Sequence, residues 1–351
     1  MVGASPALAL PLPWLAAPLA QALRTQRAHA ILVHGAAGVG QFELALALAQ
    51  SWLCEAPASE PAAACGECAS CRLVQARSHP DLLVLVPDAL REALGWDEAE
   101  GNGDSGGAAD KASKTKPSKE IRIDALRAAV QFAQMTSARG RAKVVVIHPA
   151  DRMNEFAANS LLKILEEPPG VARFVLTTGS PQALPATVRS RCQSVRLELP
   201  DTDLAIGWLV QQGVLDPGVV LAAHGGQPLL ALEAAQQGLD SALWSRFAGL
   251  VARGEAAAFV AWPLPRLIDA LQKLCHDALC AACATPPRYF QTSGVPARAS
   301  VAALTAWGKD LRGSARRAEH PWHAGLMVEA LIQQAQRALA PVKLVRYTSP
   351  P

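Results

Sequence analysis

Two groups of residues in this chain have types and spacing that suit chemistry. The first is a cysteine cluster, Cys54 followed by Cys65, Cys68 and Cys71. The C-x2-C-x2-C run with a fourth thiol upstream suits a tetrahedral four-cysteine zinc site, and with four protein ligands no position is left open for water. Such a zinc would be structural, one per chain. Unmetallated buried thiols and an iron–sulfur cluster are the other readings of the same ligands. The second group is the stretch His34-Gly35-Ala36-Ala37-Gly38-Val39-Gly40-Gln41-Phe42. Its glycines Gly35, Gly38 and Gly40 have the form of a phosphate-binding loop, in which backbone N–H groups turn toward a polyphosphate at the start of a helix. Two positions lack the necessary chemistry. Gln41 stands where a Lys would reach the β- and γ-phosphates, and Phe42 stands where a Ser or Thr hydroxyl would hold Mg²⁺.

The elements that must position these groups follow from periodicity. The apolar run Ala30-Ile31-Leu32-Val33 predicts a strand before the glycine loop, and Glu43 to Cys54 predicts a helix after it. A leading helix is expected over residues 14–29. Leu82 to Val86, Lys143 to His148 and Arg173 to Thr178 read as buried strands. Helices are expected from Asp124, as N-cap, through Met135 and from Asn154 to Glu166. Strands alternating with helices imply a parallel α/β sheet covered on both faces, closing near Pro200. Residues 91–119 break the pattern. Their glycines and serines, acids first and then Lys111, Lys114, Lys116 and Lys119, read as a disordered surface insertion. From residue 201 no strand is expected: short helices fill 201–241, interrupted at Gly225-Gly226-Gln227-Pro228, and longer Ala/Leu-rich helices fill 242–351. Cys275, His276, Cys280 and Cys283 fall in one of these and read as packing residues rather than a second metal site.

Composition narrows the function classes. The chain has 351 residues, half of them hydrophobic but only 5% aromatic, and a net charge of +3. That length implies more than one domain. The charge is too small to argue nucleic-acid binding on its own. No apolar run of about 18 residues predicts a membrane span. The apolar start, Met1 to Pro13, has no Lys or Arg and makes a poor signal peptide. The expected location is the cytoplasm, where the eight cysteines are reduced or metal-bound rather than paired.

Taken in order, the glycine loop, the cysteine module behind it, Asn159-Ser160-Leu161-Leu162-Lys163-Ile164-Leu165-Glu166-Glu167-Pro168-Pro169 and Ser190-Arg191-Cys192 resemble the clamp-loader subunits of the AAA+ family, those of bacterial DNA polymerase III. The resemblance implies an α/β AAA+ domain over 1–200, carrying the zinc module at 54–71 and the 91–119 insertion. A small helical lid (201–241) and an all-α oligomerisation collar (242–351) would follow. It implies a heteropentamer with gamma/tau-type motor subunits and a delta subunit, loading a ring-shaped sliding clamp on primed DNA, with no membrane involved. In that family the Arg of Ser-Arg-Cys reaches the γ-phosphate held by a neighbouring subunit. Arg191 has this position, with Arg189 as local competitor and a plain surface ion pair as the other use of the side chain. The departures matter equally. A hydrolysing member ends the strand at 143–147 with Asp-Glu, where this chain has His148-Pro149. Thr178 fits the polar sensor position with nothing to sense, and no Arg follows Gly225-Gly226-Gln227. The expectation is a subunit with no ATP in its own site and no hydrolysis. A self-sufficient nucleotidase using Asp151 on the metal, and a zinc-dependent DNA-binding module, are the alternatives.

Overall fold

Five strands build the first half of the chain, and every one is parallel to its neighbours. The computed structural model describes residues 12–25, 28–56, 63–96, 117–239, 241–290, 295–296, 299–318, 320 and 323–341. The chain divides after Leu204 into two compact units.

The first unit opens with a 3-10 turn, Pro13–Leu15, and α1, Ala16–Thr25. Then come β1 (Ala30–Gly35), α2 (Gln41–Leu53), α3 (Ala69–Gln75), β2 (Leu82–Leu85) and α4 (Asp88–Leu94). After them follow α5 (Ile123–Gln134), β3 (Lys143–Ile147), α6 (Glu155–Glu166), β4 (Ala172–Thr178), α7 (Ala186–Arg189) and β5 (Gln193–Leu197). The spatial order is β2-β3-β4-β1-β5. Consecutive strands β1 and β2 are therefore not neighbours, so the helices between them must cross the sheet, as parallel pairing requires.

The alternation of side chains explains the two covered faces. Ala30, Leu32, Val145, Ile147, Phe174 and Leu176 join one core with Leu126 and Ala129 of α5, Leu161 and Leu165 of α6 and Val188 of α7. Helix α2 packs against β1, β3 and β4, and its Leu44, Ala45 and Leu48 are fully buried. Burial on both faces is why β3 is an unbroken apolar run after Lys143. Helix α6 starts as expected: the Asn154 side chain accepts a hydrogen bond from the Ala157 N–H at 2.8 Å. Asp124 is not the cap of α5. The helix begins at Ile123, Arg122 is its N-cap residue, and Asp124 sits in the first turn, where its charge suits the helix dipole. Helix α4 extends into the stretch expected to be irregular, ending at Gly95 with a left-handed φ of 64°. Of the expected insertion, residues 97–116 lie outside the described residues.

Beside one isolated antiparallel bridge between Ala299 and Pro341, the described regular elements of the second unit are helices. Helix α8 (Thr202–Gln211) leads into it, followed by α9 (Pro217–Ala223), α10 (Pro228–Gln236), α11 (Ser241–Arg253), α12 (Leu264–Ala282), α13 (Val301–Ala315) and α14 (Ala324–Leu339). Its core stacks Trp244, Phe247 and Phe290, with Phe259 edge-on to Phe247. Fully buried Asp277 accepts the backbone N–H groups of Arg288, Tyr289 and Phe290 at 2.7–2.9 Å, fixing the loop after α12.

Candidate functional sites

The glycine loop connects the C-terminal end of β1 to the start of α2. Gly38 and Gly40 take left-handed φ values of 71° and 102°, which side chains rarely tolerate. A Cβ on Gly40 would also lie 2.6 Å from Leu12 Cδ1. The loop thus backs directly onto the Pro13–Leu15 turn, where Trp14 Nε1 donates to Val39 O at 2.9 Å. On its other side the loop is filled from within. The Gln41 amide donates to the carbonyls of Gly35 (2.9 Å) and Ala36 (2.6 Å) and is buried.

Phe42 is buried beside it, its ring 4.6 Å from that of His148. His148 Nδ1 pairs with Thr177 Oγ1 at 2.7 Å. Burial lowers the His148 pKa to about 4, with the Asp151 charge opposing only weakly, so the ring is neutral at ordinary pH. Asp151 is itself engaged, accepting from Thr178 Oγ1 at 2.6 Å. The residues expected to have lost phosphate chemistry therefore pack against one another. Phe42, His148 and Thr177 form a contiguous plug, and the Thr178 hydroxyl occupies one oxygen of the neighbouring Asp151 carboxylate. Next to the loop, at the C-terminal ends of β1 and β5, lies an open groove of about 540 Å³ lined by His34, Gly35, Ala36, Gly179 and Arg196 among others.

Cys54, Cys65, Cys68 and Cys71 converge. All four sulfurs lie within 4.8 Å of one another, with Cys54–Cys65 at 3.5 Å and Cys54–Cys68 and Cys65–Cys71 at 3.9 Å. Backbone N–H groups point at the sulfurs. Cys65 N donates to Cys54 Sγ, Cys68 N to Cys65 Sγ and Cys71 N to Cys68 Sγ, each at 3.4 Å, and Glu55 N to Cys68 Sγ at 3.5 Å. Burial opposes ionisation of Cys68, yet the N–H groups of Glu55 and Cys71 outweigh it and bring its pKa down to about 6. Burial and the neighbouring thiols push Cys71 the other way. Four converging thiols with one already biased toward thiolate form a donor set able to hold a metal ion. Behind it, Arg139 Nε donates to Glu55 Oε1 at 2.7 Å and to Ser70 Oγ at 3.1 Å. The N–H of the same Arg139 donates to the buried carboxylate of Asp81, which also pairs with Lys143 of β3 at 2.9 Å. The module is tied to the sheet through that chain of polar contacts.

Arg191 sits just before β5, whose first residue pairs with Ile31 near the start of β1. Since the strands are parallel, Arg191 lies at the opposite edge of the sheet from the glycine loop. Four residues of β1 separate the two edges, roughly 13 Å at ~3.3 Å per residue. Its side chain is 29% exposed. Nε donates to Glu166 Oε1 at 2.7 Å, Nη2 donates to the same oxygen, and Nη1 donates to Thr187 O at 2.8 Å. The ion pair with a surface acid, the competing use of this side chain, is therefore present. Arg189 is less available: its buried Nε has no hydrogen-bond partner.

Comparison with known proteins places this arrangement. The family described as "DNA polymerase III, delta subunit" matches residues 15–201, more than half of the chain. The chain belongs to that family. Among curated relatives of this DNA polymerase III family, the subunit delta' of Pseudomonas aeruginosa is 38% identical over 220 residues, covering 62% of this chain and 58% of its own. Subunit delta' of Escherichia coli is 29% identical over 283 residues, covering 74% of this chain and 76% of its own. Subunit tau of Salmonella typhimurium is 32% identical over 175 residues, half of this chain and 22% of its own. The chain spans 58% and 56% of the length of the delta' relatives from P. aeruginosa and Haemophilus influenzae. The DNA polymerase III family match covers the glycine loop, the cysteine cluster and Arg191 together.

The remaining expectations are distributed as follows. Gln227 precedes α10 without capping it. Cys275 is buried and its thiol donates to Leu304 O, while Cys280 faces His276 at 3.7 Å, so these residues do not converge. The Cys54 cluster is the single group of three or more such donors found among the described residues. Lys111, Lys114 and Lys116 lie outside the described residues. No helix of the described residues is long and apolar enough to cross a membrane. Sequence reasoning did not anticipate Glu166 or Thr187 as partners of Arg191, Trp14 on the loop or Arg139 behind the cysteines. Each is a contact between residues distant in sequence or made through a backbone carbonyl. The Glu166-Glu167 pair at a helix end was the one visible signal.

Proposed function

We propose that this chain is a non-hydrolysing stator of the bacterial replicative clamp loader, which donates Arg191 in trans to the ATP site of a neighbouring motor subunit. The observation that carries the reading is the closure of its own loop: Gln41 satisfies the loop carbonyls and Phe42 packs on His148 where a phosphate and its metal would need room. The position of Arg191 at the far edge of the sheet supports the trans assignment, since the guanidinium cannot serve the loop of its own chain. A guanidinium delivered where charge builds on a transferring phosphoryl group accelerates the reaction by about 10³–10⁵ in well-studied systems. Gamma/tau-type motor subunits and a delta subunit are the partners in a heteropentamer. The sliding clamp and primed DNA are its substrates, and the cytoplasm its compartment. Residues 201–241 act as lid and 242–351 as collar.

Zinc is the metal of Cys54, Cys65, Cys68 and Cys71, and its role is structural. A tetrahedron of four sulfurs with Zn–S near 2.3 Å places those sulfurs about 3.8 Å apart, close to the separations between these thiols. Metal analysis of chain purified without chelator should find one zinc, and Cys68→Ser should lose it.

The test of the function is reconstitution with motor and delta subunits, clamp and primed DNA. The isolated chain should show no ATPase. Arg191→Ala should assemble normally and lower turnover at the interface it serves on the order of 10³-fold. Turnover equal to wild type would remove the assignment. Of the alternatives, none gains a specific observation: Asp151, the acid a self-sufficient nucleotidase would use, is held by Thr178.

A further inference from the structure

We infer that Glu166 is the positioning residue for Arg191, setting the guanidinium at the sheet edge before any phosphate reaches it; this rests on the finger reading of Arg191. Glu166 is the last residue of α6, followed by Glu167 and two prolines. Two carboxylates at the negative end of a helix dipole oppose helix stability. They are placed against local preference, and the structure shows what one of them faces. Nε and Nη2 of Arg191 both converge on Oε1 of Glu166, so a single oxygen grips one edge of the guanidinium. The carbonyl of Thr187 takes Nη1 from another side at 2.8 Å. Thr187 belongs to α7, and Val188 beside it is buried in the same core as Leu161 and Leu165 of α6. The two acceptors thus stand on elements locked together by packing, and they fix the plane of the guanidinium as well as its position.

Energy of folding does not account for the pair. Glu166 is 48% exposed and Arg191 29%, and ion pairs so exposed contribute little to stability. Its effect is on conformation. Arginine is a rotamer-rich side chain, and donors already held in a plane lose less freedom when a phosphate arrives. Nη2 carries a second N–H outside the described hydrogen bonds, so a polyphosphate oxygen on a neighbouring subunit can be met without releasing Glu166. An exposed Arg without that brace would sample many rotamers, and only a fraction would point at the neighbour.

The experiment is steady-state ATP turnover by the reconstituted complex containing full-length chain, with clamp and primed DNA. Wild type is compared with Glu166→Ala, Glu166→Gln, Arg191→Ala and the double variant Glu166→Ala/Arg191→Ala, after gel filtration confirms equal assembly. Glu166→Ala should lower kcat about three- to tenfold, the fold-change matching the return of part of the rotamer entropy of an arginine, with KM for ATP within about twofold. Glu166→Gln keeps an oxygen at the Oε1 position and should recover part of the loss. In the Arg191→Ala background, Glu166→Ala should change nothing further. Four results would overturn the inference. One is wild-type turnover in Glu166→Ala while Arg191→Ala is impaired. Faster turnover in Glu166→Ala would make the pair a latch. A loss that persists undiminished in the Arg191→Ala background would place Glu166 in another role. Wild-type turnover in Arg191→Ala would remove the finger reading and this inference with it.

Discussion

The two edges of one parallel sheet have been treated in opposite ways. At the C-terminal edge, around residues 35–42 and 148–151, the side chains standing where phosphate and metal chemistry would be are paired or packed within the chain, beside an open groove. Gln41 is bonded to the loop, Phe42 packs on His148, and Thr178 holds Asp151. At the N-terminal edge, Arg191 and Glu166 remain half-exposed, bonded to each other and to a backbone carbonyl. A packed plug stabilises by burial. A braced surface ion pair adds little to folding and keeps a charge on display. The contrast predicts that substitutions at the two edges should separate: one set alters stability alone, the other alters the assembled activity alone.

The largest expected effect is on folding, at the closed edge. Phe42→Ala removes a buried ring and should destabilise the isolated chain by about 3–5 kcal/mol. Arg191→Ala should fall within about 0.5 kcal/mol of wild type. Denaturant unfolding of both variants, with turnover measured in the reconstituted complex, tests the separation. If Phe42→Ala assembled and yet turned over poorly, or if Arg191→Ala unfolded early, the two edges would not be independent.

How much of this was legible in the sequence depended on the range of the interaction that fixes each feature. Strands β1, β3 and β4 announced themselves because burial on both faces forces a continuous apolar run. The expectation of a sheet ending near Pro200 named no strand at Gln193–Leu197. That strand is at the sheet edge, and Gln193, Ser194 and Arg196 are exposed, so it lacks the continuous apolar run of the central strands; the alternation of Val195 and Leu197 was the signal passed over. The cysteine donors were readable from spacing, because metal ligands must be near in sequence when a short module supplies them. The replacements Gln41, Phe42 and His148 were readable as departures, but their joint packing was not. The contact between residues 42 and 148 depends on β1 and β3 being brought close by the strand between them. The same holds for Arg191 and Glu166, which are near only because α6 and α7 share a core.

A smaller effect should appear as pH is lowered. His148 has a folded pKa near 4 because burial excludes its charged form, against 6.5 in the unfolded chain. Between those values the unfolded chain binds a proton that the folded chain refuses. Stability should therefore be complete above about pH 6.5 and decline as pH falls toward 4, by at most ~3 kcal/mol from this group. Burial also lowers the pKa of His34, His79 and His224, so the whole slope does not belong to His148. The measurable part is the difference between wild type and His148→Leu, whose unfolding should be less steep in pH over that window. Equal slopes would mean that the His148 ring is solvated, and the closed edge less closed than its contacts imply.

The smallest expected effect is none, and it presses the comparison hardest. Gln41→Lys with Phe42→Thr restores the two loop residues that a phosphate site needs. Yet the strand end still carries His148-Pro149 in place of an acidic pair, Asp151 is still held by Thr178, and Gly40 still backs onto Leu12 and Leu15. A metal-bound triphosphate would lack the acidic pair at the strand end that holds Mg²⁺ from the protein side. The doubly substituted chain, shown to be folded by circular dichroism, should therefore leave a fluorescent ATP analogue unbound at micromolar concentrations. Should it bind at that level, two side chains alone would have kept the site shut. The C-terminal edge would then be a phosphate site masked by two substitutions, and its difference from the Arg191 edge would be far shallower than the packing suggests.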